Sequence, residues 1–217
     1  MAKQADRYAA LRTRLVDAAE RTIVERGLAA LKARDLAAEA GCAIGTIYNV
    51  FKHLDELVLA VGSRTLAMLD AALGAVRSRG PYSSTEEAIA DLVRLALAYL
   101  DFAARHQVRW RALFEHRISV AHSLPDWYVE QQRVLFGQVE GPLATLLPGL
   151  DDERRRILAR TLFSAVHGVV ALGLEEKLVS LPLSDLRQQV VAIVRAIARG
   201  RDELPYETRQ QLTKVFV

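Results

Sequence analysis

No proline occurs before Pro81, and through that stretch apolar residues recur three and four apart, the spacing of one helix face rather than of a strand. The first eighty or so residues therefore read as a run of short helices followed by one long helix. Leu15, Ala19, Thr22 and Ile23 fall on one face of a first helix, which Gly27 ends. Ala33, Leu36, Ala37 and Ala40 repeat the spacing in a second helix, and Ile47 with Phe51 supplies the inward face of a third. The small alanines let these helices approach closely. Between the second and third, Gly41 stands where a helix-turn-helix needs a left-handed backbone, which a residue without Cβ adopts at little cost. Starting at Leu54, the set Leu57, Val58, Val61, Thr65, Met68, Leu69 and Ala72 continues at helical spacing to Val76. That predicts a rod of about 34 Å at 1.5 Å per residue.

A loop follows over Arg77 to Ser84, containing Gly80 and Pro81. Ser84 with Glu87 three residues on forms a capping-box pattern ahead of the apolar stretch Ile89 to Phe102. Leu92, Val93, Leu95, Leu97, Leu100 and Phe102 point in several directions, so this helix is expected at the centre of the second domain. Further helices are predicted at 108–117, 126–146, 152–178 and 184–199, separated by Leu124-Pro125, Pro148-Gly149 and Leu181-Pro182. Asp151 or Asp152 suits the cap of the third of these, and Ser184 or Asp185 that of the last. The fold class is all-α, with a three-helix head over 1–53, a helical domain over 54–200 entered through the long fourth helix, and a polar tail over 201–217.

Composition narrows the chemistry. Half the residues are apolar, 51%, enough for a substantial core. Cys42 is the only cysteine, so there is no internal disulfide, and no Cys/His spacing suits a structural metal. No Ser/His/Asp or paired-carboxylate arrangement stands out, so neither catalysis nor a cofactor is expected. Residues 1–16 carry Lys3, Arg7, Arg12 and Arg14 and never run apolar as a signal peptide does, which predicts a cytoplasmic protein. The run Leu162 to Leu174 is interrupted by Ser164, His167 and Gly168 and falls short of the roughly 20 residues of a membrane span; it reads as a buried helix. Residues 1–53 hold nine Lys/Arg against six Asp/Glu, so the whole net charge of +3 resides there. A basic end on a neutral body suits a phosphate-facing module.

The segment Ala33-Arg34-Asp35-Leu36-Ala37-Ala38-Glu39-Ala40-Gly41-Cys42-Ala43-Ile44-Gly45-Thr46-Ile47-Tyr48-Asn49-Val50-Phe51-Lys52 resembles the helix-turn-helix of the tetracycline-repressor (TetR) family. Leu54-Asp55-Glu56-Leu57 is similar to the start of that family's fourth helix, and the likeness covers roughly residues 12–62. Ala165 to Leu172, with Trp127 upstream, resembles the TetR subclass with a Trp-His-Gly signature, although Val166 stands where Trp adjoins the His. The resemblance implies a homodimer that binds double-stranded operator DNA and answers to a small effector.

On that footing Lys32, Ile44, Gly45, Thr46, Tyr48, Asn49 and Lys52 are the candidate DNA-binding residues. Gly45 lets the backbone come near DNA, Thr46 can bond a base edge or phosphate, the Tyr48 hydroxyl can reach a phosphate, and Lys32 and Lys52 can meet either strand. Ala43 and Ile44 occupy positions where the family usually has a hydroxyl cap and a polar or cationic residue, and Leu31 and Leu54 replace a common Thr and Lys. Ile44 either touches a thymine methyl or tucks against the core, leaving binding to Lys3, Arg7, Arg12 and Arg14.

The resemblance makes the fourth helix a lever between effector and head. Tyr99, Phe102, Trp110, Phe114, Arg117, Trp127 and His167 are the candidate ligand-binding residues, as aromatic walls and polar anchors. The stripe Leu186, Val190, Ile193, Val194 and Ile197, with Ser164, Gly168 and Gly173 on the preceding helix, is expected to pair with its symmetry mate. The reading is a transcriptional repressor released by a small apolar effector. The alternative is a helical small-molecule-binding or catalytic protein whose degenerate head no longer grips DNA.

Overall fold

The computed structural model describes residues 2–78, 80–119, 123–175 and 181–200, with side chains from residue 6 onward. Among them the chain is helical throughout: α1 (Ala2–Arg26), α2 (Ala33–Ala40), α3 (Ile44–Val50), α4 (Leu54–Val76), α5 (Thr85–Arg105), α6 (Gln107–Glu115), α7 (Asp126–Leu146), α8 (Asp152–Gly173) and α9 (Leu183–Arg199), with a 3₁₀ turn at Leu28–Ala30. Two compact units form. One combines Met1–Arg77 with Ala98–Gln138, the other Ser78–Leu97 with Val139–Val217. The division differs from a boundary at residue 53 because α4 shares the head's core.

In the first unit, Leu15, Ala19 and Ile23 of α1, Leu36, Ala37 and Ala40 of α2, and Ile47 and Phe51 close one apolar cluster with Leu57, Ala60 and Val61 of α4. Gly27 ends α1 at φ 80° and ψ 166°, a conformation open essentially to glycine alone. Gly41 is left-handed at φ 67° and ψ 43°. The Cys42 N–H donates to the Ala37 carbonyl at 2.9 Å, which closes α2 as a Schellman turn. At the start of α4, His53 Nδ1 accepts the Glu56 N–H at 3.2 Å while the Glu56 carboxylate accepts the Lys52 N–H at 2.9 Å. This reciprocal cap fixes where α3 stops and α4 begins.

In the second unit, Ser84 accepts the Glu87 N–H at 3.2 Å, and the Glu87 carboxylate accepts the N–H and hydroxyl of Ser83, both at 2.7 Å. Asp91 is fully buried. It accepts bonds from the Ser78 N–H at 2.9 Å, the Tyr82 hydroxyl at 2.7 Å and Arg94 at 2.6 Å, so the 77–84 loop is tied to α5. Asp151 caps α8 by accepting the Arg154 N–H at 2.8 Å. The last helix is capped differently from expectation. Its N-cap is Pro182, without a side-chain bond, and Ser184 turns its hydroxyl to Asp185 instead. α8 ends at Gly173 rather than near 178; residues 176–180 and the predicted tail after Gly200 lie outside the described residues.

The apolar stripe of α9 is covered in part within the protomer, with Ile193 and Ile197 left half-buried. Leu186, Val190, Val194 and Ala198 are buried within the protomer, and the stripe packs on α8. Gly173 is part of that packing, because a Cβ there would collide with the Leu186 side chain. An apolar stripe reveals that a face is covered; it does not say by which chain. α4 and α8 are each long and apolar enough to cross a membrane by length and composition, yet α4 spends its apolar face on the head's core.

Candidate DNA-reading head and effector cleft

Helix α3 is anchored from below and open above. Ile47 and Phe51 are fully buried, whereas Ile44 and Tyr48 are 42% and 49% exposed. Gly45, Asn49, Lys52 and Lys32 are exposed as well, and Thr46 is half-buried. Positions 44 and 48, and 45 and 49, are four apart, so the two exposed pairs run side by side along one strip of the helix that flanks the buried Ile47. Of the two readings of Ile44, tucking against the core is excluded by its exposure. Ala43 is the N-cap and offers no side-chain bond; its carbonyl accepts the Thr46 N–H at 2.9 Å. The Arg12 guanidinium of α1 lies 4.9 Å over the Phe51 ring. Its charge is thereby held beside the end of α3, a cation–π contact with no signature in the sequence.

Below this surface an ion-pair bracket joins three helices. Arg64 of α4 donates to Asp17 at 2.7 Å and Glu20 at 2.6 Å, and Arg109 of α6 donates to Glu20 as well. Burial pushes the Glu20 carboxyl up, but the two guanidinium groups outweigh it and the net shift is downward. On the other side of α4, Asp55 accepts the Ser119 N–H at 3.3 Å and stands 3.3 Å from His116 Nε2. Between α4, α6 and α7 runs a cleft of about 190 Å³, walled by Val58, Leu59, Leu113, Ile118 and Leu124, with His116, Tyr128 and Gln132 as its polar members. Gly62 forms part of its wall, and a Cβ there would lie 3.1 Å from the Tyr128 hydroxyl.

A family model described as bacterial regulatory proteins of the tetR family matches residues 15–61. A second, described as tetracyclin repressor-like, C-terminal domain, matches residues 92–197. The chain belongs to the TetR family. Solved structures share the fold of this TetR chain. A protein of unknown function from Rhodococcus sp. RHA1 is 24% identical, with TM-score 0.65 over 88% of this chain and 94% of that one. A tetR-family transcriptional regulator from Streptomyces coelicolor is 20% identical, with TM-score 0.59 over 89% and 83%. RolR, solved with resorcinol, is 19% identical, with TM-score 0.59 over 94% and 98%. No curated protein matches the chain. The head described above is thus the helix-turn-helix of a DNA-binding transcriptional regulator.

Among the ligand-binding candidates of this TetR chain, Tyr99, Trp110 and Phe114 pack ring against ring. Tyr99, Phe102 and Trp110 are core residues, 4%, 3% and 2% exposed. Trp110 Nε1 donates to the Tyr99 hydroxyl at 2.8 Å, and burial raises the pKa of that hydroxyl despite the bond. Phe114 and Trp127 are 46% and 41% exposed, packing edge-on against Trp110 and Tyr128. Arg117 is exposed. His167 belongs to the second unit, where it stacks on Phe163 at 5.7 Å and burial lowers its pKa. None of the seven lines the α4–α6–α7 cleft, whose walls are aliphatic. Of its lining residues, Val58 belongs to the apolar stripe that the sequence marks on α4.

Proposed function

We propose that this regulator is a homodimeric repressor that holds a pseudo-palindromic operator and releases it when a small, largely apolar effector binds. The observation that carries the reading is the shared core of head and lever. Ile47 of α3 packs into the same cluster as Leu57 and Val61 of α4, so a tilt of α4 moves the face that bears Ile44, Gly45, Tyr48 and Asn49. Lys32, Thr46 and Lys52 complete the proposed DNA contacts. Two heads must span one helical turn of DNA, about 34 Å, or a multiple of it, so a shift of each head is enough to break register.

The proposed dimer seam lies on α8 instead of on the α9 stripe. Ile157 and Leu172 are 57% and 63% exposed, and Thr161, Ser164 and Gly168 lie between them on the same face. The hydroxyls of Thr161 and Ser164 already donate to the carbonyls of Ile157 and Arg160, at 3.0 and 2.8 Å. They can therefore be buried by a partner without leaving a donor unsatisfied. Such a protein acts in the cytoplasm, where its operator is.

The test is selection of duplexes from a random pool by the full chain, followed by titration of the enriched duplex over a range of salt. Enrichment of an inverted repeat whose affinity falls steeply with salt, by about one log unit per log unit of salt for each phosphate contact, is the expected result. Failure to enrich any duplex would return the protein to the alternative of a binding or catalytic domain with a silent head.

A further inference from the structure

The α4–α6–α7 cleft carries chemistry that the reading head does not use. Its size suits a small occupant: a dry cavity of about 150 Å³ takes benzene, and the cleft, open on one side, offers about 190 Å³, room for a single substituted ring. Its charge bounds it further. Among the described lining residues there is no Lys, Arg, Asp or Glu, so a charged ligand would give up its hydration without a carboxylate, ammonium or guanidinium to offset it.

The polar atoms are specific. The Tyr128 hydroxyl bonds with Gln132, and burial raises its pKa, which keeps its proton available. His116 Nε2 is buried and, although 3.3 Å from Asp55 Oδ1, lacks the alignment of a hydrogen bond. Its contact with Asp55 is one of charge proximity without a hydrogen bond, and a buried polar atom lacking a hydrogen bond is unusual in a native fold. Asp55 sits in the first turn of α4, three residues past Lys52, where the reciprocal cap joins the lever to the recognition helix. Whatever engages His116 is therefore felt at the root of the head.

We propose that this cleft is the effector site, that it takes an uncharged single-ring molecule bearing a hydroxyl, carbonyl or amide group, and that this group engages His116 and loosens its hold on Asp55. The proposal rests on the effector-released reading given above and specifies where and by what chemistry release occurs. Gly62 is what keeps the cleft open, since any side chain there presses on the Tyr128 hydroxyl.

The test uses the full chain with phenol, benzamide and benzoate as probes, followed by calorimetry and by titration of the selected duplex. Phenol or benzamide should bind saturably, with benzoate weaker by about tenfold or more, and saturating probe should weaken duplex binding by about tenfold. Gly62→Val should abolish probe binding. Ala112→Leu, which fills the cleft from α6, should do the same and guards against a folding defect in the first variant. Asp55→Asn should still bind the probe while losing its effect on DNA. Equal binding of phenol by wild type and both filled variants, equal binding of benzoate, or probe binding that leaves duplex affinity unchanged would each overturn the proposal. If another compound releases DNA equally from wild type and Gly62→Val, the cleft assignment falls and the effector-released reading stands. If no duplex is bound at all, that reading falls, while the probe titrations still decide whether the cleft holds neutral rings.

Discussion

Replacing Glu20 by Gln should cost the first unit about 1–2 kcal/mol at neutral pH, and the cost should vanish in acid. Glu20 is shared by Arg64 and Arg109, with 18% of its side chain exposed, against 38% and 27% for the two arginines. A hydrogen bond to a charged group contributes roughly 1.5–3 kcal/mol. Two discounts apply: Arg64 keeps Asp17 at 2.7 Å, and partial exposure screens the rest. The pH dependence has a definite sign. Because the folded pKa of Glu20 is depressed, its contribution is complete above the unfolded value of about 4.3 and is lost as pH falls through the lower folded value. Urea midpoints of wild type and Glu20→Gln, followed by circular dichroism, should differ at pH 7 and converge as the pH falls through the depressed folded value. Glu25→Gln, exposed on the same helix, serves as the control. Equal midpoints at pH 7, or a gap that persists unchanged into acid, would refute the bracket.

Other substitutions separate local roles. Tyr48→Phe should leave the fold intact and weaken duplex binding by about 1 kcal/mol, the scale of one hydrogen bond; equal affinity at matched salt would make the exposed hydroxyl a bystander. Leu172→Glu should yield folded monomers by light scattering, whereas Val190→Glu should unfold the protein because it buries a charge inside the protomer. A folded dimer carrying Leu172→Glu would remove α8 from the interface. Gly173→Ala should lower stability by about 1–3 kcal/mol through the clash with Leu186, and an unchanged melting temperature would show that α8 and α9 yield there at no cost.

The head was legible because its signals are local. A 3.6-residue period puts Leu15, Ala19 and Ile23, then Leu36 and Ala40, then Ile47 on inward faces, and Gly41 marks the one left-handed turn between α2 and α3. The contacts that join elements left no such trace. Arg64 and Arg109 meet Glu20 across 44 and 89 residues of chain, and each alone reads as a solvated charge. The aromatics of 99–127 suggested a pocket, yet Tyr99 and Trp110 satisfy each other's polar atoms and pack as core, whereas the open cleft is aliphatic. On α9 the period found a covered face, and α8 of the same chain covers Leu186, Val190 and Val194 of it while Ile193 and Ile197 stay half-buried.

The most direct test of the effector-released regulator is reciprocal linkage. The tightest-binding effector or probe is titrated into the protein alone and into its operator complex, and the operator is titrated with and without saturating ligand. If ligand and DNA compete through α4, the two factors by which each weakens the other must be equal, on the order of five- to 150-fold. Ligand that binds the free protein and the operator complex with the same affinity would contradict the account, because occupancy would then have no means of moving the head.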